Sequence, residues 1–131
     1  MREIKFRGLD IQGEWRYGNL SILLQKVGKV EKGTYISNRC GRPFAFQVQS
    51  KTIGQFTGLH DKKRTKEYPD GQEIYEGDIV KEKWCVDNFT VIFQHGCFLA
   101  HDGRGPFLIL DDRHLDYEVI GNIYENKELL K

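Results

Sequence analysis

Thr52-Ile53-Gly54-Gln55-Phe56-Thr57-Gly58-Leu59 and, further on, Glu73-Ile74-Tyr75-Glu76-Gly77-Asp78-Ile79-Val80 decide how the chain folds. Both set β-branched and aromatic residues around glycines, and the Gly77-Asp78 step supplies a sharp turn into a new strand. The same vocabulary returns in Glu118-Val119-Ile120-Gly121-Asn122-Ile123-Tyr124. These stretches read as framework strands of one barrel. They contain no evident nucleophile, metal-ligand cluster or phosphate loop, so they speak to fold and not to activity.

Working outward, residues 2 to 24 predict a hairpin. Ile4 and Phe6 share one face, Lys5 and Arg7 the other, and Trp15 and Tyr17 repeat the pattern after Asp10-Ile11-Gln12-Gly13. Lys26 to Gly33, with three lysines and two glycines, reads as an exposed connection, and Tyr35-Ile36 as a short edge strand. Phe44, Phe46 and Val48 alternate with Ala45, Gln47 and Gln49 after Pro43, as in a half-buried strand. His60 to Gly71 breaks the apolar pattern and predicts a loop closed by Pro69-Asp70-Gly71. Ile79-Val80 opens a strand running toward Trp84, and Phe89 to Ala100 is one long bent strand or a tight pair around Gly96. Asp102 to Pro106 is a turn, Phe107 to Leu110 a buried strand, Asp111 to Asp116 a polar loop and Tyr117 to Tyr124 the closing strand. Asn126 to Leu130 is the one helical stretch, a short turn capped by Asn126. The expectation is an all-β barrel or sandwich, with a boundary near residues 50 to 52 giving regions 1–51 and 52–131.

At 131 residues the chain suits one ordinary domain or two very small ones. Its 39% hydrophobic and 30% charged residues exclude a disordered chain. No apolar run exceeds four residues, against the ~20 of a helical bilayer span, and Met1 to Phe6 alternates charged and apolar residues where a secretory signal would be continuously apolar. A cytoplasmic location is expected. Twenty basic against nineteen acidic residues leave a charge of +1, so attraction for nucleic acid has to come from a local patch. Cys40, Cys85 and Cys97 are odd in number without CxxC spacing, as reduced thiols are, and Asn88-Phe89-Thr90 is a sequon only in form.

Lys62, Lys63, Arg64 and Lys66 form the densest cationic cluster and, beside Tyr68, could meet a phosphate backbone; the plainer reading is a solvated loop. His95, Cys97 and His101 would share one face of a continuous strand, with Cys85 approaching from a neighbour, which is a zinc-type donor set. Without a paired ligand motif, and with Gly96 in the register, ordinary core and edge positions are preferred, and no metal or cofactor is expected. Asp111, Asp112, His114 and Asp116 crowd a loop in which acid–base chemistry is conceivable, but no nucleophile or oxyanion element accompanies them. Gly103-Arg104-Gly105 is a hairpin turn rather than a dinucleotide loop. The aromatic set Trp15, Tyr17, Phe44, Phe46, Phe56, Tyr75, Trp84, Phe93, Phe98 and Phe107 is assigned mostly to the core, with a ligand-stacking platform as the alternative.

Four blocks also carry a family resemblance: Met1-Arg2-Glu3-Ile4-Lys5-Phe6-Arg7-Gly8, Gly54-Gln55-Phe56-Thr57-Gly58-Leu59-His60-Asp61-Lys62, Glu73 to Val80, and Glu118 to Asn126. In this order they resemble the YopX family of bacteriophage and prophage proteins. The resemblance implies a small cytoplasmic phage-type protein with an N-terminal β region and a C-terminal SH3-like, partly open barrel. It supplies no biochemical activity and no site residues. One departure stands out: family members join the second and third blocks by a short turn, whereas Lys63 to Gln72 makes this loop longer and more basic. A longer surface loop alters contacts more than the barrel, since each doubling costs only about 0.6 kcal/mol. The expectation for function is a non-enzymatic accessory protein acting on a protein partner such as a host factor. A nucleic-acid-binding module using residues 62–66 is the alternative, and an enzyme centred on His114 the third reading. Unpaired strand edges also invite self-association.

Overall fold

The computed structural model describes residues 2–37, 45–105, 108–110 and 116–130. The described residues form eleven strands: β1 (Phe6–Leu9), β2 (Trp15–Leu23), β3 (Gly33–Ser37), β4 (Ala45–Val48), β5 (Gly54–His60), β6 (Glu73–Tyr75), β7 (Asp78–Glu82), β8 (Asn88–Gln94), β9 (Cys97–His101), β10 (Leu108–Ile109) and β11 (Tyr117–Asn122). Two single 3-10 turns, Ser50–Thr52 and Lys127–Leu130, complete the elements, the second where the short C-terminal helical turn is expected. The fold is all-β. The strands make two antiparallel sheets, in the orders β4-β3-β2-β1-β5-β6 and β10-β9-β8-β7-β11, and among the described residues neither closes on itself. The chain divides into two compact units, Met1–Phe56 and Thr57–Lys131.

In the first unit the expected hairpin is β1–β2, with Leu9 opposite Trp15 and Phe6 opposite Gly18. Its turn is organised by Asp10, whose Oδ1 accepts the N–H groups of Gln12 at 2.8 Å and Glu14 at 3.0 Å while Oδ2 accepts from Arg16 Nε at 2.9 Å. The Glu14 N–H holds the Asp10 carboxyl below the usual carboxylate range; burial opposes that shift, and Arg16 and the Gln12 N–H reinforce it. Gly8 has no room for a side chain, because a Cβ there would lie 2.9 Å from Ile53 Cδ1 and 3.0 Å from Val48 Cγ2. Tyr35-Ile36 is not an edge strand: β3 is flanked by β2 and β4, and Ile36 is completely buried. Val27 and Val30 bond to each other across the connection, which folds tightly enough to bring β3 back along β2. In β4 the expected alternation holds, with Phe46 and Val48 inward and Ala45 and Gln47 exposed.

In the second unit the later part of β5 pairs with β6. Ile74 of β6 shares a core with Val80, Phe89, Val91, Ala100 and Tyr117. The Gly77-Asp78 turn is as expected. Gly77 has φ +93°, its N–H donates to the Val91 carbonyl at 2.8 Å, and Asp78 Oδ2 accepts the Tyr75 N–H at 2.7 Å. Phe89 to Ala100 is a tight pair, β8 and β9, turned by His95 and Gly96, both at positive φ. Strand β7 stops at Glu82, short of Trp84. Trp84 is 81% exposed, Phe93 52% and Tyr17 of the first unit 46%, so these three rings leave the core that alternation assigned them. Asn126 does not cap the last turn forward; its Oδ1 accepts the N–H of Asn122 at 3.1 Å, against Gly121, where a Cβ would meet it at 2.6 Å.

Candidate functional site

The second unit carries a surface cleft of about 450 Å³ lined by Lys62, Lys63, Lys81, Lys83, Asp116, Tyr117 and Glu118. Its floor comes from strand alternation. Along β7 Val80 and Glu82 are buried and Lys81 is exposed, and Lys83 continues the outward set. Strand β11 runs antiparallel beside it, with Tyr117 opposite Glu82 and Glu118 opposite Lys81. The Lys81 and Glu118 side chains therefore stand next to each other on the outer face.

The other wall is the start of the basic loop, and Asp61 holds it there. Asp61 is 3% exposed; its Oδ1 accepts the Gln72 N–H at 2.8 Å and its Oδ2 the Val119 N–H at 3.1 Å. Its own N–H donates to the Gln72 carbonyl at 2.8 Å, and the next residue, Lys62, donates its N–H to the Tyr117 carbonyl at 2.9 Å. The carboxylate thus pins both ends of the 61–72 loop and stitches it to β11. Lys63 Nζ then reaches Glu118 Oε1 at 3.0 Å, an exposed ion pair. Four ammonium groups outnumber the two carboxylates of the lining, so the cleft favours an anion.

Of the four sequence-predicted cations, Lys62 and Lys63 line the cleft. Arg64 turns back, its Nη1 donating to the Asp61 carbonyl at 2.9 Å, and serves the loop's own geometry. Lys66 is exposed and does not contribute to the lining. Lys81 and Lys83 were not singled out by sequence reasoning. The Lys-Glu-Lys alternation after Val80 was the signal for their shared face, but only the β7–β11 pairing and the Lys62–Tyr117 bond bring them to Lys62 and Lys63.

Beneath the cleft, Tyr117 is 3% exposed and its hydroxyl has no hydrogen-bond partner among the described residues. Burial first, then the charges of Glu82 and Cys85, push its pKa up to about 12. The Cys85 thiol is raised as well, chiefly by its hydrogen bond to Glu82, which makes it a poor nucleophile at neutral pH.

The zinc-type arrangement is not formed. The β8–β9 turn takes His95 out of the strand, and His101 is engaged in the next turn, with its Nε2 3.1 Å from the Gly105 carbonyl and its Nδ1 accepting the Gly103 N–H. Among the described residues no group of three His, Cys, Asp or Glu side chains could hold a metal ion. Asp111, Asp112 and His114 lie outside the described residues, as does Cys40. Asp116 is exposed at the rim of the cleft. No helix among the described residues is long and apolar enough to cross a membrane.

No curated protein matches the chain. The model of the family described as YopX protein matches residues 5–131, which takes in both units and every residue of the cleft. The chain belongs to the YopX family.

Proposed function

We propose that this protein is a non-enzymatic binding module that contacts nucleic acid through the lysine cleft of its second unit. The supporting observation is the convergence of Lys62 and Lys63 with Lys81 and Lys83 on one cleft whose remaining charges are only Asp116 and Glu118. This reverses the order of the two leading expectations, because strand β7 brings Lys81 and Lys83 to the same cleft as Lys62 and Lys63, although Arg64 and Lys66 do not line it. We read the second unit as an SH3-like, partly open barrel: the β5–β6 ribbon contributes Leu59 and Ile74 to a core shared with the five-stranded sheet. The setting we take from the family resemblance is a phage or prophage accessory protein in the cytoplasm of a bacterial host.

A gel-shift titration with single-stranded and duplex oligonucleotides over a salt series tests this reading. Four neutralised phosphates give a slope of log K against log salt of roughly −3. Lys81→Gln with Lys83→Gln flattens the slope by about 2 and lowers affinity at low salt. Absence of any complex at low salt overturns the reading. A complex with polyglutamate but with neither oligonucleotide transfers it to an acidic protein partner, and self-association through the sheet-edge strands β4 and β10 is checked by ultracentrifugation.

A further inference from the structure

Trp84 is the one large aromatic side chain that the second unit presents almost whole to solvent among its described residues, at 81% exposure. Its position is built. Strand β7 ends at Glu82, whose buried carboxylate accepts the Trp84 N–H at 3.0 Å, and the Cys85 N–H donates to the Glu82 carbonyl at 3.1 Å. The backbone on either side of the ring is thereby fixed. Val86, two residues on, is 97% exposed and does not cover it. The ring does not line the cleft but touches a residue that does. Lys83, one of the lining lysines, holds its Nζ 5.1 Å from the centroid of the Trp84 ring. An exposed indole costs solubility and contributes little to stability, so a turn that displays it beside Lys83, itself one of the four lining lysines, asks for a ligand with both phosphates and flat apolar faces.

We infer that Trp84 is a base-stacking residue and that the preferred ligand of the cleft is single-stranded nucleic acid, its phosphates along Lys62, Lys63, Lys81 and Lys83 and one unpaired base on the indole. Duplex DNA satisfies only half of this arrangement, because its base faces are already stacked and inaccessible. An acidic peptide satisfies the lysines and leaves the ring bare. The inference rests on the nucleic-acid reading above and adds the strand state of the ligand and the residue that selects it.

The test measures binding of an oligodeoxythymidylate of about 10 nucleotides, and of a duplex of the same length, to the full chain and to Trp84→Ala and Trp84→Phe. Intrinsic fluorescence is read alongside, with Trp15 of the first unit as the internal reference. The expected result is quenching of the wild-type signal by the single strand and its loss in Trp84→Ala. Single-strand affinity should fall about ten-fold in Trp84→Ala, with most of it retained in Trp84→Phe and duplex affinity unchanged. Equal single-strand binding by Trp84→Ala, while Lys81→Gln with Lys83→Gln weakens it, overturns the stacking and leaves the lysine cleft standing. A wild-type chain that binds neither oligonucleotide at low salt removes both.

Discussion

The carboxylate of Asp61 accepts the backbone N–H of Val119 at 3.1 Å, tying the head of the basic loop to the strand that closes the second unit. A second oxygen of the same group serves the Gln72 N–H, so one side chain satisfies two backbone donors from distant parts of the chain. Asp61→Ala removes the acceptor of two partly buried backbone donors, and a hydrogen bond to a charged group is worth about 1.5–3 kcal/mol. Urea denaturation should therefore show a loss of at least about 2 kcal/mol with an unchanged m-value. Oligonucleotide affinity should fall as well, although residue 61 contributes no positive charge. A loss of stability without a loss of affinity would separate the loop from the cleft.

Gly71 faces Asp61 from the other end of the loop. Its φ is +91°, and a Cβ would press on the Asp61 carbonyl and lie 2.8 Å from Arg64 Nη1. Gly71→Ala therefore meets both a disfavoured backbone conformation and a backbone clash, a cost of about 2 kcal/mol or more. Gly58 is the control: its φ is +88°, but a Cβ there meets nothing within 4 Å. Its alanine variant should lose only the conformational part, about 1 kcal/mol, by the same denaturation measurement.

Tyr117 predicts behaviour at the alkaline end. Its folded pKa of about 12 lies above the ordinary tyrosine value of 10, so the unfolded chain loses the proton first and the folded chain later. Stability from this group is complete below about pH 10 and declines by about 1 kcal/mol per pH unit as the pH rises toward 12. Absorbance at alkaline pH should show Tyr117 ionising late, and Tyr117→Phe should remove that step, leaving the smaller upward shift of Tyr68. Because the hydroxyl is buried without a partner among the described residues, the same variant should hold or gain stability at neutral pH, by up to about 1 kcal/mol.

Asp10 predicts the acid end of the first unit. Its pKa is lowered, first by the Glu14 N–H, so its contribution is present above the unfolded value of about 3.9 and is lost as the pH falls through the lower folded value. Wild-type and Asp10→Asn chains should differ most in urea midpoint above pH 5 and converge in strong acid. Parallel curves across that range would show that the turn does not depend on the charge.

Period-two alternation made the strands legible, as the described residues of β4 follow it, and the Gly77-Asp78 turn was legible from its glycine. The same rule misplaced Trp84, because alternation assigns faces only while a strand continues, and β7 ends at Glu82; Phe93 lies within β8 in phase with Phe89 and Val91 yet is 52% exposed at the strand's end, where its ring meets Phe98 edge-on. Half of the cleft was visible as a run of charge at Lys62 and Lys63. The other half was hidden, because Lys81 and Lys83 are isolated along the chain and become neighbours of the loop only through the β7–β11 register. Arg64 shows the converse: a cation counted for the surface is spent on the Asp61 carbonyl three residues earlier.

The pairing of Lys63 with Glu118 gives the cleft a resident decoy. Any phosphate that settles beside Lys63 has to displace that carboxylate, and an exposed pair of this kind resists by only about 0.2–1 kcal/mol. A nucleoside monophosphate would meet the decoy with a single phosphate, while a polymer would arrive with several and could continue along Lys81 and Lys83 after the first exchange. On the proposed reading the groove would therefore sort its visitors by valence, engaging a polymer of phosphates, briefly and reversibly, in preference to a single one.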